Sequence, residues 1–489
     1  EDYGAVTDTV KYRFATVNSA RETASAVYAP TIPETGLYPV YVWASASSNR
    51  TDQLYVINHT GGSTEVRVDH RKVGNGWVWL GSYNFDAGRS PDRGSVTISN
   101  FSQAGGSVVI ADAVRFGNGM GDLPWGPGGI GTGSVSGYPR EDEGSLLWAW
   151  RAVGQSTAFS SPSAVIGTSN VSAPLRMAEH MNVDANPYGT SIYVGFHSNA
   201  TTGNPATAAS RGAIGLIHSS SPTPNQASLA ATMAEQINLD MRARDGSFEH
   251  DWSTRTADAT ITGSYGEITN SRAAGEFDAT IIEVAFHDNQ LDAELLRDPK
   301  VRDQLARSTY EATLEHFFNY PGSISRPANV TLPSAPEQVQ ATSTAAGEVT
   351  ISWVPGPSSP NGFDGVYGSP ATGFRVLVSV DGYGFDGGSF VAGGDTRSVL
   401  LSGLDPKRPY FFRVVAENAG GRSRPAEVLG TLPDGGPRQV LIVNGFDRID
   451  RSQNFLQAYA FGGGGTTERV WPSFNNPRTQ AVPTLQAIH

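Results

Sequence analysis

The first part of the chain alternates apolar and polar residues with a period of two. Short runs of this kind recur about every dozen residues and are bounded by Gly and Asn: Tyr38–Trp43, Gln53–Ile57, Glu65–Val68, Trp77–Leu80, Ser95–Ile98 and Val108–Ile110. Successive side chains of a strand point to opposite faces of a sheet. The pattern therefore predicts an antiparallel β-sandwich over residues 1–118.

The predicted sandwich resembles the golvesin C-terminal-like domain of secreted bacterial enzymes. The residues that carry this resemblance are the strand entry Glu34–Tyr38, the strand Trp79–Phe85 and the closing strand Ala111–Phe116. Alternation also places Trp77 and Trp79 on one face of their strand, near Tyr41 and Trp43. Such aromatic residues could stack on sugars, but a packed inner face is the interpretation we favour from the sequence.

A Gly-rich stretch over residues 119–137 has no apolar periodicity, so we interpret it as a linker. Strand and helix patterns then alternate over residues 138–325, as is typical of an α/β domain. Ser191–Phe196 and Ala279–Phe286 are apolar runs short enough for buried strands. Helical apolar stripes follow, at Leu229, Met233, Ile237 and Met241 and again at Val301, Leu305, Tyr310, Leu314 and Phe317.

Strand patterns return over residues 333–433, and this segment resembles a fibronectin type III domain over its whole length. The matching residues are Trp353, the strand Gly373–Val378 and Tyr410, which stands where a corner tyrosine ties a loop to a strand. Residues 434–489 open with the apolar run Arg438–Asn444, and we interpret them as the start of an incomplete α/β domain. The predicted fold class is therefore multidomain, all-β plus α/β.

Composition narrows the possible functions. The 489 residues carry a formal net charge of -12, which gives no broad electrostatic reason to bind nucleic acid. The chain has no cysteine, so a metal site would use histidine and carboxylate ligands. No apolar run approaches the ~20 residues of a membrane span. We expect an extracytoplasmic protein in the periplasm, on the cell surface or secreted.

Two strand ends carry the strongest candidate chemistry. His197 lies near the carboxyl tip of the first apolar run, at the edge where the sites of open α/β sheets collect. Glu283 interrupts the second run, and a carboxylate in an apolar strand is costly without a metal, a cation or a proton. Both also have structural explanations, as a hydrogen-bonded polar residue and as the partner of an arginine.

The α/β segment resembles the second half of the zinc-dependent N-acetylmuramoyl-L-alanine amidases. The resemblance rests on Tyr193-Val-Gly-Phe-His197-Ser-Asn199-Ala, on Ser210-Arg-Gly-Ala213, on Glu283-Val-Ala-Phe286-His-Asp-Asn289 and on Leu295-Leu-Arg-Asp298. It implies zinc as cofactor, His197 as a zinc ligand and Glu283 as the catalytic carboxylate. Asn199 would shape the site. The substrate would be peptidoglycan, cleaved between the muramoyl lactyl group and L-alanine.

The chain departs from the amidase family before His197. The family opens with a glycine-flanked histidine and a glutamate, which supply two further zinc ligands, and we find neither. We expect His59 and His70 to face solvent, and we interpret Glu141 and Glu143 as charges at a helix N-terminus. His180 is a fallback ligand. We expect the sandwich to be inserted in the amidase fold, with an upstream segment completing the metal site.

Two functions follow from these patterns. The first is a zinc-dependent peptidoglycan amidase that is inactive as this chain alone, because one imidazole does not hold zinc tightly. A catalytically dead amidase-like domain would look the same in sequence. The alternative is a non-enzymatic cell-surface, glycan-binding or adhesion protein built from β-sandwich modules.

Overall fold

A computed structural model describes residues 12–117, 166–182, 191–200, 209–252, 259–322, 325–360, 362–426 and 428–437. It also describes short pieces of helix or strand at 125–126, 129–130, 145–146, 148–149, 455–461 and 465–471. Glu141, Glu143, most of the Gly-rich linker and the predicted strand at residues 438–444 lie outside these ranges. In the described parts of the chain, no helix is long and apolar enough to span a membrane.

The first domain is a β-sandwich. Its strands are β1 (Arg13–Thr16), β2 (Ser25–Tyr28), β3 (Gly36–Trp43), β4 (Asp52–His59), β5 (Gly62–Asp69), β6 (Trp77–Phe85), β7 (Ser95–Ser99), β8 (Val108–Ala111) and β9 (Ala113–Phe116). One sheet has the order β2-β7-β4-β5 and the other β6-β3-β9, while β1 pairs with β8. The core between them holds Val40, Val42, Tyr55, Ile57 and Phe85, each fully buried.

The outer face of the β6-β3-β9 sheet is aromatic, which corrects our interpretation of these residues as core. Val40, Val42 and Leu80 point inward and are buried, so alternation sends Tyr41 and Trp79 outward. Trp79 is 60% exposed. On β3 the aliphatic residues Val40 and Val42 face the core and Tyr41 faces outward.

Two short strands, β10 (Trp125–Gly126) and β11 (Gly129–Ile130), pair after the sandwich. The second domain combines helices with a sheet. Its helices are α1 (Ile166–Met181), α2 (Gln226–Ala243), α3 (Asn270–Ala273), α4 (Gln290–Leu296) and α5 (Pro299–Asn319). Its strands are β12 (Ile192–Asn199), β13 (Ile214–His218), β14 (Thr260–Gly263) and β15 (Asp278–Phe286).

The sheet of this domain has the order β12-β15-β13-β14. Strands β12 and β15 run parallel, and β13 is antiparallel to β15. One face packs on α2 and α5 through Met233, Ile237, Ile282 and Leu305. The other face forms a second core that includes Leu175 of α1 and Ile281 of β15. Helices therefore cover both faces, and the carboxyl ends of β12 and β15 lie at one edge.

The structure has helices where the sequence pattern of this domain predicts them. Helix α5 begins where Asp298 accepts a hydrogen bond from the backbone N–H of Lys300 at 2.9 Å, with Pro299 in the first turn. This is the expected cap followed by proline. The stripe Leu229, Met233, Ile237 and Met241 of α2 is fully buried against the sheet.

The third domain is a sandwich of the fibronectin type. Its strands are β16 (Glu337–Ala345), β17 (Glu348–Val354), β18 (Gly373–Ser379), β19 (Ser389–Ala392), β20 (Ser398–Leu401), β21 (Tyr410–Asn418), β22 (Gly421–Arg422) and β23 (Leu429–Thr431). Trp353, Phe374 and Phe412 form its core. The hydroxyl of Tyr410 accepts a hydrogen bond from the backbone N–H of Asp405 at 3.2 Å, as expected of a corner tyrosine.

The last described pieces are β24 (Phe455–Phe461) and β25 (Gly465–Trp471), which pair antiparallel. The apolar run from which we predict the start of an α/β domain, residues 438–444, lies outside the described residues, so that interpretation stays a prediction.

Candidate functional site

The parallel pairing of β12 and β15 brings the two predicted site residues together. His197 is the register partner of Glu283. Neighbouring strands of a sheet place register partners side by side on one face, so both side chains lie on the α1 side of the sheet. The side chain of His197 is 43% exposed. The sequence-predicted pair therefore lies at one sheet edge, within reach of solvent.

Glu267, which the sequence analysis missed, is the third member of the site. It lies in the loop between β14 and α3 and is 8% exposed. Its two carboxylate oxygens lie 3.3 and 3.1 Å from Nε2 of His197, and one of them accepts a hydrogen bond from the Tyr193 hydroxyl at 2.5 Å. Burial opposes ionisation of Glu267, but the hydrogen bonds from His197 and Tyr193 outweigh it and lower its pKa.

Glu283 has no such partners. Its Oε2 atom is buried and accepts no hydrogen bond from the described residues. Burial raises the pKa of Glu283; the charge of His197 opposes this shift, and the charge of Glu267 adds to it. The hydrogen bond to Glu267 raises the pKa of His197 in turn. The site thus combines one satisfied carboxylate with one carboxylate that has an orphaned buried oxygen, an arrangement typical of acid–base sites.

Asn199 is placed at the end of β12, where its side chain accepts a hydrogen bond from the backbone N–H of Ala200 at 2.8 Å. Its backbone carbonyl accepts from the N–H of His287 at 3.0 Å. A register shift after His197 separates Asn199 from the His197–Glu283 pair. The described contacts assign Asn199 to closing the strand end, and its role in shaping a substrate site stays a prediction.

The motif residues around the site hold its strands in place. Asp292 is fully buried and accepts a hydrogen bond from Nε of Arg211 at 2.7 Å. Its other oxygen accepts from the backbone N–H of Gly212 at 3.0 Å and of Phe286 at 3.1 Å. One carboxylate therefore ties the start of β13 to the end of β15, just beyond Glu283.

The other histidines weighed from sequence have structural partners. His59 is 8% exposed and contacts the Thr64 hydroxyl at 3.0 Å, and His70 is 1% exposed and contacts the Tyr55 hydroxyl at 2.6 Å. Our expectation that they face solvent is therefore wrong, because each fills a gap in the sandwich that its ring nitrogens can satisfy. Nε2 of His180 lies 3.1 Å from the backbone carbonyl of Asn75 in the sandwich.

A second cluster of side chains in this domain is spaced closely enough to hold a metal ion. Among the described residues, Glu249, His250 and Glu294 form the one group of three whose ligand atoms all lie within 4.8 Å of one another. His250 and Glu294 already contact each other at 2.5 Å. His197, Glu267 and Glu283 do not meet this distance criterion as a set of three.

The exposed face of the sandwich is a second candidate site, which we call the aromatic face: Tyr41, Trp43, Trp77, Trp79 and Arg115. Register pairs Tyr41 with both Trp79 and Arg115, and Trp43 with Trp77. The Arg115 guanidinium lies 4.1 Å from the Tyr41 ring centroid and 4.9 Å from that of Trp77. A β-bulge shifts the register between Val40 and Tyr41, opposite Leu80. Val78 and Leu80 pack inward by alternation, and Trp79 between them stays outside.

Comparison with known proteins supports the two β modules. The profile of the Golvesin C-terminal domain matches residues 3–118, and that of the fibronectin type III domain matches residues 334–431. The chain therefore carries both domains. The resemblance of the segment between them to the zinc amidases stays a prediction.

This chain spans only a small part of the length of the curated relatives that it matches. A xanthan lyase of Bacillus sp. (strain GL1) is 41% identical over 103 residues, which cover 20% of this chain and 10% of the lyase. The receptor-type tyrosine-protein phosphatase F of Bos taurus is 32% identical over 127 residues, or 24% of this chain and 6% of that protein. A solved Paenibacillus xanthan lyase is 30% identical, with a TM-score of 0.20, over 24% of this chain and 11% of that one.

Proposed function

We propose that this chain is a modular cell-surface or secreted protein whose golvesin-type sandwich binds a glycan through the aromatic face. The observation that carries the proposal is the 60% exposure of Trp79 beside Tyr41 and Arg115. Aromatic rings stack on the apolar faces of sugars, and a guanidinium binds their hydroxyl and carboxylate oxygens. The similarity to a polysaccharide lyase supports a polysaccharide as the ligand.

Binding to insoluble polysaccharide tests this proposal. Purified peptidoglycan and xanthan are the probes, and Trp79→Ala is the variant. Loss of one stacking ring weakens binding by about 3- to 10-fold. Tyr383→Ala is the matched control, because Tyr383 is 73% exposed on the fibronectin domain. Equal binding of Trp79→Ala and the control would show that the aromatic face does not bind the glycan.

For the α/β domain we propose amide hydrolysis of the zinc amidase kind. The orphaned Oε2 of Glu283 beside His197 supports it, since a buried carboxylate without a partner lowers stability and is a common feature of catalytic sites. The donor types also fit zinc, which binds imidazole nitrogen and carboxylate oxygen. His197 would hold the ion together with ligands from other parts of the protein. Bound zinc would make water a stronger nucleophile near neutral pH.

The residues of the chain suit the proton transfers of this reaction. Glu283 would accept a proton from the attacking water at its orphaned oxygen and later donate it to the leaving amine of L-alanine. Its raised pKa brings it closer to the pH at which one group can do both. Burial raises the pKa of Tyr265, and the negative charge of the nearby Glu283 raises it further.

Release of new L-alanine N-termini from purified peptidoglycan tests the hydrolytic proposal. We expect residues 1–489 alone to release few, because the resemblance to the amidases assigns a zinc ligand at His197 and none at the other described residues. A version that supplies a glycine-flanked histidine and a glutamate in front of residue 1 should be active and zinc-dependent. Glu283→Ala should abolish that activity. Strong, chelator-sensitive activity of the chain alone would show that its own residues complete the site.

A further inference from the structure

One strip of β12 is built to receive the Glu267 carboxylate. Tyr193, Gly195 and His197 are alternate residues of β12, so they share one face of the strand. A Cβ atom at position 195 would lie 2.6 Å from Oε1 of Glu267, closer than carbon and oxygen atoms can approach. Gly195 therefore leaves the space that Glu267 occupies between the tyrosine and the histidine.

The contacts of Glu267 determine which nitrogen of His197 carries the proton. Its carboxylate accepts from the Tyr193 hydroxyl at 2.5 Å and faces Nε2 of His197 at 3.1 and 3.3 Å. An ionised carboxylate only accepts hydrogen bonds, so Nε2 must be the donor. In the neutral imidazole the lone pair is then on Nδ1. Within the described residues, no hydrogen-bond partner of Nδ1 is found.

We propose that Glu267 is a positioning residue that fixes His197 in the Nε2–H tautomer and presents Nδ1 as the atom that binds the metal. The inference rests on the hydrolytic function proposed above. Imidazoles that bind metals usually donate their other N–H to a carboxylate or carbonyl, which sets the tautomer and raises the basicity of the ligand. Tyr193 and Gly195 would support this role by fixing the carboxylate itself.

Nitrogen-15 NMR of histidine-labelled protein tests the tautomer directly. Spectra at about pH 9 report neutral imidazoles, and His197→Ala assigns the signals of His197. The native chain should show His197 with the proton on Nε2, and Glu267→Gln should show a mixture of tautomers. Tyr193→Phe, which leaves the carboxylate in place but loosens it, should give a smaller change.

Glu294→Gln is the matched control, because it removes a carboxylate from His250, 2.5 Å away, in the same domain. It should change the signals of His250 and leave those of His197 unaltered. An unchanged His197 tautomer in Glu267→Gln would overturn the proposal. Native circular dichroism of each variant ensures that the comparison is made on folded protein.

Zinc titration separates the inference from the function on which it rests, in the version that supplies a glycine-flanked histidine and a glutamate in front of residue 1. In that version zinc should shift Nδ1 of His197, and Glu267→Gln should weaken zinc binding by about 10-fold or more. A zinc shift at Nε2 would overturn the inference, because Glu267 would then be a ligand beside the histidine. If zinc moved no His197 signal while Glu267→Gln still mixed the tautomers, the zinc function would fail and the positioning role would stand.

Discussion

Replacing Glu283 with leucine should make the α/β domain more stable. Glu283 follows Ala279 and Ile281 on the apolar face of β15 and has an orphaned buried oxygen. Leaving a buried polar atom unsatisfied costs about 1 to 3 kcal/mol, and replacing it with an apolar group removes that cost. We therefore expect Glu283→Leu to raise the free energy of unfolding by about 1 to 2 kcal/mol.

Glu267→Leu is the contrasting variant. Glu267 lies against β12 at Gly195 and, unlike Oε2 of Glu283, accepts hydrogen bonds from Tyr193 and His197. Hydrogen bonds to a charged group contribute about 1.5 to 3 kcal/mol each, so this variant should be destabilised by about 2 kcal/mol or more. Opposite signs for these two glutamates would separate a carboxylate kept for proton transfer from one that is held by hydrogen bonds and positions His197.

Hydrogen exchange of the β15 amides measures both effects, because it reports the opening free energy of this domain apart from the two β modules. Slower exchange in Glu283→Leu and faster exchange in Glu267→Leu is the expected result. If Glu283→Leu were destabilised as much as Glu267→Leu, then Glu283 would be a structural residue and its orphaned oxygen would not indicate catalysis.

Three further predictions concern the framework. Burial raises the pKa of Glu311 to about 8, although Arg307 lies 3.0 Å away. The stability of the α/β domain should therefore fall as the pH rises from the ordinary carboxyl range to that value, by at most about 1.4 kcal/mol per pH unit. Denaturant titrations should show that Glu311→Gln flattens this pH dependence. Asp292→Ala removes the carboxylate that pairs with the partly buried Arg211 and that accepts from the N–H groups of Gly212 and Phe286. It should cost about 3 kcal/mol or more by hydrogen exchange, whereas a loss below 1 kcal/mol would contradict the tie between β13 and β15. A fragment of residues 333–433 should unfold cooperatively by calorimetry as an independent sandwich, and a non-cooperative transition would count against those bounds.

Hydrophobic periodicity along the chain predicts many of its strands and helices. Period-two alternation at Gln53–Ile57 and the buried stripe of α2 depend on neighbours in sequence, which the chain itself displays. The pairing of His197 with Glu283 was also predictable, because both lie on apolar strands of one α/β sheet.

The exposure of the aromatic face and the position of Glu267 depend on contacts between residues that are distant in sequence, so local patterns could not predict them. Alternation separates Val40 from Tyr41 without indicating which face is buried, and the aromatic side proved to be outside. Glu267 lies in a polar loop without periodicity. The signal that could have pointed to it is Gly195, since an isolated glycine in an apolar strand often marks a close approach by another group.

The most direct test of the proposed function is a binding isotherm on purified peptidoglycan and xanthan for the native chain and Trp79→Ala. We predict saturable binding of the native chain to at least one of them. We also predict that the affinity of Trp79→Ala is about 3- to 10-fold lower and that the affinity of Tyr383→Ala is unchanged. Absence of binding to both polysaccharides, or equal affinity of the native chain and Trp79→Ala, would contradict the claim that the aromatic face binds a glycan.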